Sequence, residues 1–242
     1  MTDIIMPSRR DVLAAGIGLL AAGGLTQAGS IAPDSPRSAA SRGARAKNVI
    51  FMVADGMSIG TFSLADIALQ HRDGRGLAWA SLWDRPGTRR SMMSTRSADS
   101  LVTDSAAAGS SWGCGKRINN GSICWHDGHE VEPILVAAKR AGKSTGLVTT
   151  ARITHATPAA FIAGVPSRNM EDEIARQILD RGVDVALGGG AVFLTPDLLA
   201  EYPGVTVVRT AEQLRAASST RGRLVGVFTD SHMSYELDRP ET

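Results

Sequence analysis

The sequence predicts an α/β fold built on a largely parallel central sheet, and three observations carry that expectation. Short, nearly continuous apolar runs recur along the chain, as buried parallel strands require. They alternate with segments whose apolar residues fall at helical spacing. Glycine is abundant, at 26 of 242 residues, while aromatic residues make up only 5%. That mix suits tight loops at the ends of parallel strands better than an all-β sandwich.

Taken in order, Asn48–Ala54 (NVIFMVA) reads as the first strand, apolar enough to be buried on both faces. A helix is expected over Pro133–Ala141 and a second over Asn169–Arg181. In the second, Met170, Ile174 and Ile178 share one face, and Glu171, Asp172 and Glu173 suit the positive end of the helix dipole. Strands are expected at Thr145–Thr150, Val183–Leu187, Val205–Val208 and Leu224–Phe228, with a helix at Ala211–Ala217. No internal repeat is visible.

Composition removes several function classes. With 43% hydrophobic and 21% charged residues the chain is not an intrinsically disordered one. Twenty-six basic against 24 acidic residues leave a net charge of +2, without the footprint of a nucleic-acid binder. Two cysteines exclude a disulfide-stapled scaffold or a zinc ribbon. Cys114 and Cys124 flank an Asn119-Asn120-Gly121 turn, and either a disulfide or a reduced pair is compatible with that placement.

The first 28 residues read as an address. Ser8-Arg9-Arg10-Asp11 precedes an uncharged, Ala- and Gly-rich run from Val12 to Leu25, too short for the ~20 apolar residues of a membrane span. Small residues at Thr26-Gln27-Ala28 offer a cleavage site, so residues 1–28 are expected to be a twin-arginine signal peptide. Export would place the mature protein in the periplasm or outside the cell, with no membrane span. Residues 29–46, rich in Ser, Pro, Ala and Arg, are expected to form a disordered lead-in, and 47–242 the folded domain.

Three segments carry candidate chemistry. Asp55-Gly56 follows the first expected strand, where α/β sheets bind ligands; Asp55 is there either a metal ligand or a helix cap. In Val102-Thr103-Asp104-Ser105-Ala106-Ala107-Ala108-Gly109, a hydroxyl at the start of an Ala-rich helix suits a phosphate. An N-cap at Thr103, Asp104 or Ser105 is the alternative, and the local pattern alone favours it. Thr154-His155-Ala156-Thr157-Pro158-Ala159-Ala160-Phe161 follows another strand, and Arg168 lies just before a helix. Read singly, His155 and Thr157 are ordinary loop residues and Arg168 a surface charge.

Together with Gly226–Met233 and Tyr235–Asp238, these segments resemble the alkaline phosphatase family in order and spacing, over about residues 47–242. The resemblance implies a three-layer α/β fold with a largely parallel central sheet. It also implies hydrolysis of phosphate monoesters through a phosphoserine intermediate, with two Zn²⁺ and one Mg²⁺. By resemblance, Ser105 is the nucleophile and a zinc ligand, and Asp55 bridges a zinc and the magnesium. Thr157 gives its hydroxyl to magnesium, His155 acts in that ion's outer shell through water, and Arg168 clamps the phosphate. The family commonly forms homodimers. Its remaining zinc and magnesium ligands come from a later part of the chain that is not in this sequence, so the fold is expected to be incomplete at the C-terminus. That leaves an alternative, a catalytically inactive remnant holding half a site. A phosphodiesterase or sulfatase of the same superfamily fits less well, because no Cys/Ser-x-Pro-x-Arg motif is present.

Overall fold

The computed structural model describes residues 46–217 and 222–239. The expected signal peptide and nearly all of the lead-in lie outside the described residues. The chain divides into two units, residues 1–52 and 53–242. Of the first, residues 46–52 are described, and they carry no helix or strand. Val49, Ile50 and Met52 are each more than four-fifths exposed. The strand expected over Asn48–Ala54 is therefore not formed. An apolar run marks a segment as fit for burial, but a strand exists only through its ladder of backbone hydrogen bonds, and the run cannot supply the partner.

The second unit begins with helix α1 (Ile59–Asp73), capped by the Ser58 hydroxyl, which accepts from the Thr61 N–H at 3.2 Å. Two short turns follow, helix α2 (Ala78–Ser81) and a 3₁₀ turn, Leu82–Asp84. Helix α3 (Ser105–Gly113) comes next, then a two-residue hairpin of β1 (Trp125–His126) and β2 (His129–Glu130). From helix α4 (Ile134–Arg140) onward the alternation is regular. It runs β3 (Gly146–Arg152), α5 (Ala156–Ala159), α6 (Glu171–Asp180), β4 (Val185–Gly189), α7 (Pro196–Ala200), β5 (Val205–Val208), α8 (Ala211–Ala217) and β6 (Arg223–Val227). The expected helices and the four later strands all form, within a few residues of their expected bounds.

The four strands β3, β4, β6 and β5 lie side by side in that order, every pair parallel. Parallel neighbours need crossovers, and the helices supply them. Helix α6 shows how the core closes. Its Ile174, Ile178 and Leu179 are at most 1% exposed, each stabilising the fold by about 1.5–3 kcal/mol of side-chain burial. They join Leu147, Ala186, Val225 and Val227 of the sheet and Ile153, Ile162 and Leu194 of the connections in one cluster. Edge strand β3 leaves Val148 75% exposed.

Glu171 departs from the sequence reading. It opens α6 as expected but is 8% exposed, with its carboxylate gripped by Arg152 through Nε at 2.9 Å and Nη2 at 2.5 Å. The Thr154 hydroxyl donates a third bond at 2.6 Å. Burial alone would raise this carboxyl, but the bonds from Arg152 and Thr154 outweigh it and hold it below the ordinary glutamate range. A carboxyl lowered on folding contributes stability above its unfolded value, ~4.3, that is lost as pH falls through the folded value. Glu171→Gln is thus expected to cost about 3 kcal/mol at pH 7, with Arg152 left without its counter-charge. The deficit should shrink on acidification below about pH 4. Urea unfolding at pH 7, 5 and 3.5 checks this, and a deficit independent of pH would contradict it.

Candidate active site

Helix α3 starts where it does because Asp104, in an extended conformation, accepts from the Ala107 N–H at 2.9 Å. The N-cap reading of this segment therefore holds, at Asp104. Asp104 caps, and Ser105 is the first helical residue. The Ala-Ala-Ala run lets the helix sit close to its neighbours, with Ala106 and Ala107 at most 1% exposed.

Asp55 lies on a tight turn in which the Met57 N–H reaches the Ala54 carbonyl at 3.3 Å, and Gly56 takes φ +70°, as that turn needs. The turn delivers the Asp55 carboxylate to two hydroxyls far away in sequence. Ser105 Oγ donates to Asp55 Oδ2 at 2.9 Å, with Oδ1 at 3.2 Å, and Thr157 Oγ1 donates to Oδ2 at 2.9 Å. Thr157 reaches this point from α5, which follows the carboxyl end of β3 and packs against α3. One carboxylate and two hydroxyls thus converge from three segments.

A second group lies on the other side of Asp104. Arg168 donates from Nη1 to Asp104 Oδ2 at 3.0 Å, and its Nη2 lies 3.0 Å from His155 Nε2. Asp104 also takes the Gly121 N–H on Oδ2 at 3.1 Å, while Asn120 Oδ1 accepts from the Asp104 N–H at 2.9 Å. His155 is pushed below the ordinary histidine range, first by burial and then by the charges of Arg168 and, more weakly, His232 and Arg152. Its ring is therefore neutral at pH 7 and accepts from the guanidinium.

Asp55, Ser105 and Thr157 meet in the first cluster and His155 and Arg168 in the second. Sequence reasoning missed the supports. Asp104 was read only as a cap, although it also holds Arg168. His232 packs edge-on to His155 with ring centroids 5.1 Å apart, and its Nε2 lies 2.9 Å from Arg152 Nη1. The Asn119-Asn120-Gly121 turn was visible, but its grip on Asp104 was not.

The donor set can be tested against the metals. Oxygen donors such as Asp55 and Thr157 suit a hard cation like Mg²⁺. A catalytic zinc takes three protein ligands. Asp55 and Ser105 would offer only two to a zinc, and among the described residues no group of three His, Cys, Asp or Glu side chains gathers to hold a metal. The residues fit part of a magnesium shell and do not close a zinc site.

A family model for alkaline phosphatase matches residues 46–242. The chain belongs to the alkaline phosphatase family. It is 34% identical to an alkaline phosphatase of Schizosaccharomyces pombe over 224 residues, covering 81% of this chain and 40% of that protein. Among solved structures, the alkaline phosphatase of Thermus thermophilus shares 42% identity with a TM-score of 0.70, over 76% of this chain and 40% of that one. A TAB5 alkaline phosphatase variant with bound Mg superposes at a TM-score of 0.60 and 27% identity, over 71% of this chain and 51% of that one. The chain spans less than half the length of its curated relatives. The α/β fold with a parallel sheet is the family fold in part.

Proposed function

We propose that the chain contributes the nucleophile and phosphate-binding portion of a site that hydrolyses phosphate monoesters. The observation carrying this is the convergence of Ser105, Asp55 and Thr157 beside Arg168, in a chain whose relatives are alkaline phosphatases. Ser105 Oγ attacks phosphorus, the bond to the leaving alcohol breaks, and a phosphoserine forms that water then hydrolyses. Asp55, already bonded to the Ser105 hydroxyl, orients that oxygen. Arg168 presents five donors, two of them engaged by Asp104 and His155, and the rest form a planar fork for phosphate oxygens. Neutral His155 steers the guanidinium without competing for the anion. Asp55, Ser105 and Thr157 would contribute to the two Zn²⁺ and one Mg²⁺ of the family site, with His155 in the magnesium's outer shell. The chemistry supplied by bound metal there is charge for the alkoxide and for the leaving oxygen.

A second reading is favoured by the open donor set. Asp55 is the sole carboxylate meeting Ser105 and Thr157 among the described residues. Gathering divalent ions around one carboxylate is unfavourable. On this reading the chain holds phosphate without turnover of its own, and the 242-residue chain is expected to lack appreciable activity even with excess Zn²⁺ and Mg²⁺. The test is an aryl phosphate assay beside equilibrium binding of labelled phosphate. Turnover lost in Ser105→Ala supports hydrolysis by this chain; saturable phosphate binding weakened by Arg168→Ala, without turnover, supports the half-site. Neither activity nor Arg168-dependent binding would reject both.

We also propose export by the twin-arginine route, to the periplasm or beyond, and a homodimer for the full-length protein, as is common in the family. The support for export is the Ser8–Leu25 pattern. Fusing residues 1–46 to a folded reporter, Arg9→Lys with Arg10→Lys is expected to leave the reporter in the cytoplasm. Undiminished export of the double variant would reject the assignment.

A further inference from the structure

The two cysteines lie outside the proposed phosphate chemistry, and the fold brings them together. Cys114 closes the C-terminal end of α3, with its thiol against the Ser110 carbonyl at 3.2 Å. Cys124 lies ten residues on and is fully buried, its thiol 3.1 Å from the Ala160 carbonyl. Both residues are tied to Ser110, whose carbonyl takes the Cys114 thiol and whose hydroxyl takes the Cys124 N–H. Cys124 has φ +42°, in the left-handed region that residues with a side chain rarely enter. It is held there by its N–H on Ser110 Oγ at 2.8 Å and by the Val131 N–H on its carbonyl at 2.7 Å. A strained backbone over-determined in this way holds the buried thiol on the Ala160 carbonyl, the same oxygen that faces Gly113 at the end of α3.

We propose that Cys114 and Cys124 form a dithiol/disulfide redox site, oxidised by exchange with a small-molecule or protein disulfide, with Cys114 as the attacking thiol. Both are reduced in this structure. Accessibility sets the order, since Cys114 is partly exposed and Cys124 is not. The neighbouring Cys124 lowers the Cys114 thiol to about 7, which favours it as the attacking sulfur, while the same contact and burial push Cys124 up. In the first step Cys114 sulfur bonds to one sulfur of the oxidant, and the other departs as a thiolate. In the second, Cys124 loses its proton to that base or to solvent and attacks Cys114 sulfur. The protein disulfide forms and the second oxidant thiolate leaves. Two protein thiols are oxidised and one external disulfide is reduced to two thiols.

The position gives the bond a consequence. Residues 115–123 run from the end of α3 back to its start, where Asn120 and Gly121 grip Asp104. A Cys114–Cys124 bond would close this segment into a ring, restraining the loop that holds the helix cap and, through it, Arg168. This proposal does not depend on the phosphatase reading.

The test uses the purified 242-residue chain in glutathione buffers of increasing oxidised fraction, with intact mass and free-thiol counts as readouts. The expected product is monomeric, lacks both thiols, is two hydrogens lighter and carries no glutathione. Its Tm is expected to exceed that of the reduced form by roughly 5–10 °C. Cys124→Ser is expected to stop at one glutathione on Cys114, whereas Cys114→Ser should take up none at a comparable rate. Two free thiols in fully oxidised buffer, a stable glutathione adduct on the wild type, or only intermolecular dimers would overturn the proposal.

Discussion

In a chimaera completing this chain with the remainder of the Thermus thermophilus relative, Ser105→Ala is expected to abolish acid-stable phosphate on the protein. Aryl phosphate turnover should fall by on the order of 10³-fold or more. Phosphate binding should survive, because Arg168 is held by Asp104 and His155 and makes no bond to Ser105. Removing the hydroxyl deletes the atom that forms the covalent bond while leaving charge stabilisation in place. Ser111→Ala is the control. Its hydroxyl bonds back to the Ala107 carbonyl at 3.2 Å within the same helix, and capture should be unchanged. Label persisting in the Ser105 variant would put the nucleophile elsewhere.

The second large effect is on stability. Alanine at Gly113 would place its Cβ 1.8 Å from the Ala160 carbonyl oxygen and 2.6 Å from the carbonyl carbon. In an open helix the change would gain up to ~1 kcal/mol of propensity. Here the obstacle is backbone on the neighbouring segment, which cannot rotate away, so the clash wins. The expected cost is about 3 kcal/mol or more. Alanine at Gly109 meets the Ala160 Cβ at 3.0 Å, and a few tenths of an ångström of yielding relieves it. Urea unfolding should therefore rank Gly113→Ala far below Gly109→Ala, and equal stabilities would refute the packing argument. Because α5 carries Thr157, the damage should extend to the Asp55 cluster.

The later half of the fold was legible because its runs, such as Val205–Val208 and Leu224–Phe228, alternate with helical segments, so that each strand has a parallel neighbour to pair with. Asn48–Ala54 has the same appearance, but its burial is conditional on neighbours, and the structure leaves it exposed. Helix α1 was missed for the converse reason. None of its residues is buried, so no apolar stripe announces it. In the site, Asp55, Ser105, Thr157, His155 and Arg168 were legible through motif resemblance, since their spacing alone left each one an ordinary residue. The pairing of Arg152 with Glu171 and of His232 with His155 joins residues 19 and 77 apart in numbering, and no local pattern encodes it. The left-handed turn at Cys124 was hidden because cysteine is not a residue type that signals one.

Asp104 has two carboxylate oxygens and spends them on a helix cap, a loop amide and a guanidinium. Its tolerance to change is therefore set by architecture before chemistry. In any survey of substitutions, position 104 would lose protein abundance and phosphate capture together, whereas position 105 would lose capture alone. A sequence comparison that scored both positions as equally invariant would be recording two different selective pressures on adjacent residues. Invariance at 104 would then be no evidence that its carboxylate takes part in the reaction.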